Sequence, residues 1–257
     1  MTHPRATALL AFVLAAALLP CQAGAAEGAD QHGHGWTYEG AAGPAHWGEL
    51  KSEYAGCALG QRQSPIDIKD TVKEALPPID FAYRSAPLRV IDNGHTVQVN
   101  FDAGSAITVG GARYELLQFH VHTPSEERVG GKAYPMVAHL VHRNAEGKLA
   151  VVAVLFEQGK ENALLQQVFA HIPAHKGEEV RVDQVSIALA GMLPREQGYY
   201  SFAGSLTTPP CSEDVSWMVL RSPVEMSATQ LQTLRALYPN NARPPQALNG
   251  RVVKESL

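Results

Sequence analysis

The chain has no excess of positive charge: 21 lysines and arginines stand against 25 aspartates and glutamates, a formal net charge of −4. A nucleic-acid partner, which needs a basic face to meet the phosphates, is therefore not expected. Nor does any apolar run reach the roughly 20 residues that a bilayer-spanning helix requires. The run from about Ala8 to Leu19 is too short, so no membrane span is expected. Internal repeats and low-complexity linkers are also missing, and nothing divides the chain into two domains. Cysteine is scarce, with three in 257 residues.

What stands at the N-terminus has the layout of a secretory signal peptide over residues 1–25: Arg5, the apolar run, then Ala23-Gly24-Ala25, with cleavage expected after Ala25. Cys21 leaves acylation as an alternative, to which Pro20 is a poor fit. Removing the leader takes away Arg5, its only charged residue apart from the terminus, and makes the chain one unit more negative. It also leaves two cysteines, Cys57 and Cys211, as disulfide partners in an oxidising periplasmic or extracellular compartment. Closing so long a loop stabilises by roughly 5 kcal/mol in the chain-entropy treatment. Two buried free thiols are the alternative. Residues 26–257 are expected to form one domain, opening with a Gly- and Ala-rich lead-in that holds His32 and His34 and no large apolar anchor.

From Trp36 onward, short alternating runs bounded by Gly, Pro, Asn and Asp predict strands. They fall at Val97–Phe101, Tyr114–His122, Val137–His142, Leu149–Phe156 and Val215–Leu220. Helical spacing is confined to Ala163–His171 and Ala228–Leu237, the second with Ser227 placed to cap it. The expected fold is mainly β (α+β): one domain with a central, twisted, largely antiparallel sheet of about ten strands and a few short peripheral helices.

His120 and His122 stand two apart on a predicted strand, so they share a face about 6 to 7 Å apart along it. His139 follows across the turn-prone Gly130-Gly131, and an antiparallel neighbour can bring it alongside. Three neutral imidazoles on a rigid sheet leave one position open around tetrahedral zinc, which is the catalytic arrangement. His142 is out of phase with His139 and should point to the opposite face. His46, His171 and His175 have no partner at useful spacing. Taken alone, Glu126-Glu127 reads as a solvated pair, and Val141, Val151, Leu206 and Trp217 as core.

The motifs Gln63-Ser64-Pro65-Ile66-Asp67-Ile68, Asn93-Gly94-His95, Gln118-Phe119-His120-Val121-His122, Ser125-Glu126, Ala138-His139-Leu140-Val141-His142 and Gly204-Ser205-Leu206-Thr207-Thr208-Pro209-Pro210 occur in this order. The chain thereby resembles the alpha carbonic anhydrases from about Trp36 to Arg251. The resemblance implies Zn2+ on His120, His122 and His139 at the bottom of a conical cleft, with reversible hydration of carbon dioxide to bicarbonate by zinc-bound hydroxide. It implies that Thr207, donating to Glu126, orients the nucleophile, that His95 shuttles the proton, and that Tyr38, Asn93 and Gln98 order the connecting waters. It further implies a substrate pocket walled by Val141, Val151, Leu206, Trp217 and Thr208. The partner is then a small molecule, and the sequence is compatible with a homodimer.

Three positions depart from the family's usual pattern. Gln98 replaces an asparagine and Phe202 a tyrosine. Gln118 matches the acceptor for the second nitrogen of His120, but the glutamate usual two residues before His139 is Val137, which accepts no hydrogen bond. Loss of such a partner typically costs roughly 10- to 100-fold in metal affinity or activity. Weak zinc retention is therefore expected unless another acceptor fills the gap, and Val137→Glu is expected to slow zinc loss to a chelator.

Overall fold

Burial along the strands follows the alternation in the sequence: Val97 and Val99 are buried, while Gln98 and Asn100 on the opposite face are partly exposed. The computed structural model describes Met1 and residues 35–257, so the expected leader, Cys21, His32 and His34 lie outside the described residues. The expected strands are found with slightly different ends, as Val97–Asn100, Ala112–His122, Met136–Arg143, Leu149–Gln158 and Glu213–Leu220.

They belong to one 13-stranded sheet, whose main path runs Glu179–Ile187, Ala86–Asp92, Val97–Asn100, Ala112–His122, Met136–Arg143, Leu149–Gln158, Glu213–Leu220, Tyr199–Ser205, Lys254–Ser256, Val72–Glu74. Asp80–Ala82, Ala106–Val109 and Val224–Met226 attach beside this path. Leu149–Gln158 runs parallel to Glu213–Leu220 and Val224–Met226, and Lys254–Ser256 runs parallel to Val72–Glu74. The other ladders of this sheet are antiparallel, as expected.

The two faces of the sheet do different things. One packs Phe119, Val121, Leu140, Val152, Val154 and Met218 into the main core, together with Leu164, Leu165, Leu231 and Leu234 of the two longest helices. Burying apolar surface at about 25 cal/mol per Å² makes this face the principal source of stability. Both helices are capped. Asn162 accepts from the N–H groups of Leu164 and Leu165 above Ala163–Phe169, which ends short of the expected His171. Ser227 and Gln230 form a capping box at Ala228–Leu237.

The opposite face carries two rows of side chains that cross the strands in register. One runs Gln98, His120, His139, Ala153; the next runs Asn100, Gln118, Val141, Val151, Trp217, Phe202. The row is polar at its Val97–Asn100 end and apolar at its Tyr199–Ser205 end. Gly204 lies where a Cβ would come within 2.1 Å of Ser64 Oγ and 2.7 Å of Trp217 Cδ1, so only glycine permits this approach to the tryptophan.

His142 points away from this face, as its phase implies. It stacks on Tyr83, whose hydroxyl donates to Nε2 at 2.8 Å, while Nδ1 donates to the Ala150 carbonyl at 3.3 Å. Burial lowers its pKa from 6.5 to about 4. A histidine kept neutral in the fold but free to protonate when unfolded contributes stability in full above about pH 6.5, and loses it as pH falls toward 4. The loss corresponds to roughly 3 kcal/mol. We expect urea midpoints to fall more steeply between pH 7 and 4.5 for the wild type than for His142→Gln; equal slopes would remove His142 as the cause.

Candidate active site

The antiparallel register that sets His139 opposite His120, and Val137 opposite His122, brings three imidazoles together on the second face. Their ring centroids lie 4.9, 5.4 and 4.8 Å apart, and one nitrogen of each lies within 4.8 Å of the others. The remaining nitrogen of each ring is committed to an acceptor. His120 Nδ1 donates to Gln118 Oε1 at 2.8 Å and His122 Nδ1 to the Asn241 carbonyl at 2.7 Å. His139 Nε2 donates to both oxygens of Glu127, each at 3.1 Å.

These bonds assign the tautomers. Nε2 of His120, Nε2 of His122 and Nδ1 of His139 are left as inward lone pairs. Nε2 of His122 is buried without a hydrogen-bond partner, a costly condition that a cation would relieve. Burial, with His139 as a neighbouring charge, depresses the pKa of His120 to about 3 and takes His122 well below its usual value. Burial acts on His139 in the same sense, but the charge and hydrogen bond of Glu127 outweigh it and raise the pKa. Three nitrogen donors with room for one more ligand fit a tetrahedral catalytic zinc site.

The expected shortage of an acceptor at His139 is thus not found, because Glu127 takes the place left by Val137, and the expectation that Val137→Glu slows zinc loss falls with it. Glu126 and Glu127 are not a solvated pair either; they are 1 % and 0 % exposed. Glu126 Oε1 accepts the Arg243 backbone N–H at 2.8 Å, and Oε2 lies 3.6 Å from His122 Nε2 and 3.8 Å from His139 Nδ1. Burial raises the pKa of Glu126 to about 7, opposed in part by His139 and by the nearby Thr207 hydroxyl. That hydroxyl is near enough to act on the carboxyl, yet Oε2 remains without a hydrogen bond of ordinary geometry.

A cavity of about 230 Å³ opens above the imidazoles, lined by Tyr38, Asn93, His95, Gln98, Gln118, His120, His122 and Thr208 among the expected residues, and also by Trp36. Asn93 Oδ1 accepts from the N–H groups of His95 and Thr96, each at 3.0 Å, closing the turn in which Gly94 has φ +88°. The His95 ring stacks on Trp36 at 3.8 Å. Asn93 Nδ2 donates to Gln98 Oε1 at 3.3 Å, so the glutamine at this position extends a polar wall. Val141, Val151 and Trp217 lie in a buried apolar cluster with Leu206 packed against it, and the Trp217 ring is 4.9 Å from that of His139. Phe202 stacks on Trp217 at 6.0 Å.

The Thr207 loop is tied from outside. The Cys57–Cys211 disulfide closes 154 residues of chain, Gln63 Nε2 donates to the Cys211 carbonyl at 3.0 Å, and Ser64 N donates to Ser205 Oγ at 2.9 Å. Arg243 donates to Gln63 Oε1, Ser64 O and Cys57 O through its guanidinium, and to Glu126 through its backbone. Sequence reasoning missed Arg243, Asn241 and Glu127. Only the adjacency of Glu127 to Glu126 was a local signal.

Residues 42–257 match the family described as eukaryotic-type carbonic anhydrase. A carbonic anhydrase of Klebsiella pneumoniae is 46 % identical over 223 residues, covering 86 % of this chain and 90 % of that protein. One of Neisseria gonorrhoeae is 42 % identical over 256 residues, covering 99 % and 98 %. The alpha-carbonic anhydrase of Thermovibrio ammonificans, solved with the inhibitor sulfanilamide, superposes with a TM-score of 0.83 at 44 % identity, covering 85 % of this chain and 98 % of that one. The chain belongs to the eukaryotic-type, or alpha, carbonic anhydrase family. These relatives imply carbon dioxide hydration, a lyase reaction.

Because the disulfide braces the loop that carries Thr207, its reduction in the folded protein is expected to lower hydratase activity before the domain unfolds. Activity followed alongside tryptophan fluorescence during titration with a reductant tests this; simultaneous loss of both would show that the bond only stabilises the fold.

Proposed function

We propose that the chain is an exported zinc enzyme that interconverts carbon dioxide and bicarbonate, with residues 1–25 removed as a signal peptide and residues 26–257 acting as a single catalytic domain in the periplasm or outside the cell. The disulfide and the bacterial relatives support export. One observation carries the chemistry: three inward imidazole nitrogens within 4.8 Å of one another, each ring held by an acceptor on its far side.

His120, His122 and His139 would hold the metal. Zinc, when bound, supplies Lewis acidity that makes a nucleophile from water at neutral pH, with the pKa of about 7 known for this enzyme class. Thr207, 6 % exposed, commits its proton to Glu126 and so presents a lone pair toward the reacting oxygen, fixing its direction. The backbone of Arg243 holds Glu126 in turn. Carbon dioxide has no charge to grip, and the apolar end of the sheet face, with Val141, Val151, Leu206 and Trp217, suits it. Thr208 lines the cavity over the imidazoles. His95 takes the proton released at each turnover and passes it to buffer, a task suited to an imidazole near neutral pH. Tyr38, Asn93 and Gln98, which line the same cavity as His95, His120 and His122, would order the waters that connect them.

Stopped-flow carbon dioxide hydration by residues 26–257 should disappear on chelation and return with zinc; absence of activity with zinc bound would overturn the proposal. Thr207→Ala should lower kcat/KM on the order of 10²-fold through lost orientation. His95→Ala should lower kcat but not kcat/KM at low buffer, and imidazole should restore it.

A further inference from the structure

We infer that Glu127 is the positioning residue for His139 and that it forms an exchanged pair with Val137, the loop supplying the carboxylate that the strand lacks. The inference rests on the zinc reading above and concerns how long the site keeps its metal.

Glu127 is fully buried and sends both carboxylate oxygens to within 3.1 Å of His139 Nε2. Its loop is built to bring it there. Ser125 Oγ donates to the Glu127 carbonyl at 2.7 Å and accepts the Tyr134 N–H at 2.9 Å, and Ser125 N donates to the Tyr134 carbonyl at 2.9 Å. On the other side, Arg128 N donates to the Ile66 carbonyl at 3.2 Å, at the entry to the parallel pairing of Arg128–Val129 with Asp67–Ile68. Backbone hydrogen bonds therefore hold the loop that carries the carboxylate on both sides of Glu127.

Val137 lies two residues before His139, on the same face, opposite His122 on one neighbouring strand and Leu155 on the other. It is fully buried in the apolar cluster that holds Ile66, Ile68 and Leu155. An acidic side chain added there would enter apolar packing beside a carboxylate that already occupies the far side of the ring. Two buried carboxylates competing for one N–H leave one of them unsatisfied. With Glu127 truncated, the same addition would instead supply the missing acceptor from the strand. The two positions are thus coupled, and the effect of glutamate at 137 changes sign with the residue at 127.

The test is the rate of zinc transfer from the purified holoenzyme to excess dipicolinate, for the wild type, E127A, E127Q, V137E and E127A/V137E. E127A should release zinc on the order of 10- to 100-fold faster. E127Q, which keeps an uncharged acceptor, should fall between E127A and the wild type. V137E alone should also speed release, whereas E127A/V137E should release more slowly than E127A. A purely packing role for Glu127 would not give this rescue, because the double variant disturbs both positions. Release from E127A at the wild-type rate, or a double variant no slower than E127A, overturns the inference. Should the alanine variants not fold, E127Q alone decides, and an unchanged release rate overturns it. A wild type that retains no zinc at all would instead overturn the proposed function, so the two failures are distinct.

Discussion

Three buried imidazoles can point lone pairs at a common centre only if something else takes the proton on the far nitrogen of each, and most of the architecture near the site follows from that requirement. An unpaired ring N–H in this interior would cost on the order of 1 to 3 kcal/mol. The acceptors come from three unrelated places: Gln118 on the same strand, the Asn241 carbonyl beyond the last long helix, and Glu127 on the loop before Arg128–Val129. Each is itself anchored. Asn241, for instance, also donates through its side chain to the His95 and Val121 carbonyls at 2.9 and 3.0 Å, so the segment bearing His95 and the strand bearing His122 share one buried amide. The described buried side-chain atoms without a hydrogen-bond partner are His122 Nε2, Glu126 Oε2 and Arg243 Nε. Two of the three face the centre where a cation would sit.

The sheet supplies what loops alone would not, a surface divided in chemistry at that centre. Registered rows place amides at one end and valine, tryptophan and phenylalanine at the other, with the histidines between them. In the proposed reaction, water and proton carriers would find partners on one side and the uncharged substrate on the other. Rigidity comes from the reverse face, where the larger apolar core and two capped helices sit. The polar site can therefore carry groups that do not favour folding.

Around this, the N-terminal aromatic cluster joins the disulfide to the cleft. Trp36, Trp47, Tyr54, Cys57 and Cys211 pack together, and Trp36 offers its other contact to the His95 ring. Arg243, fully buried, extends the same brace to the Glu126 carboxylate through its own backbone N–H, and desolvation lowers its pKa to about 10 without removing its charge near neutral pH. The loop that bears Thr207 is thus positioned by covalent and hydrogen-bonded links that meet outside the cavity.

Much of this was legible in the residues. Period-two alternation determined the face shared by His120 and His122, the phase of His142 determined its exclusion from the site, and Ser227 determined where a helix begins. These are local properties, set by backbone geometry within a few residues. The acceptor of His139 was not legible. Val137 correctly signalled that the strand had none, but Glu127 could fill the vacancy only because a loop folded against Ile66 and Tyr134 carries it to the far side of the ring. Asn241 and Arg243 were hidden for the same reason. Periodicity encodes which side of an element is buried, whereas the group it meets there belongs to another element, and only tertiary packing decides that meeting.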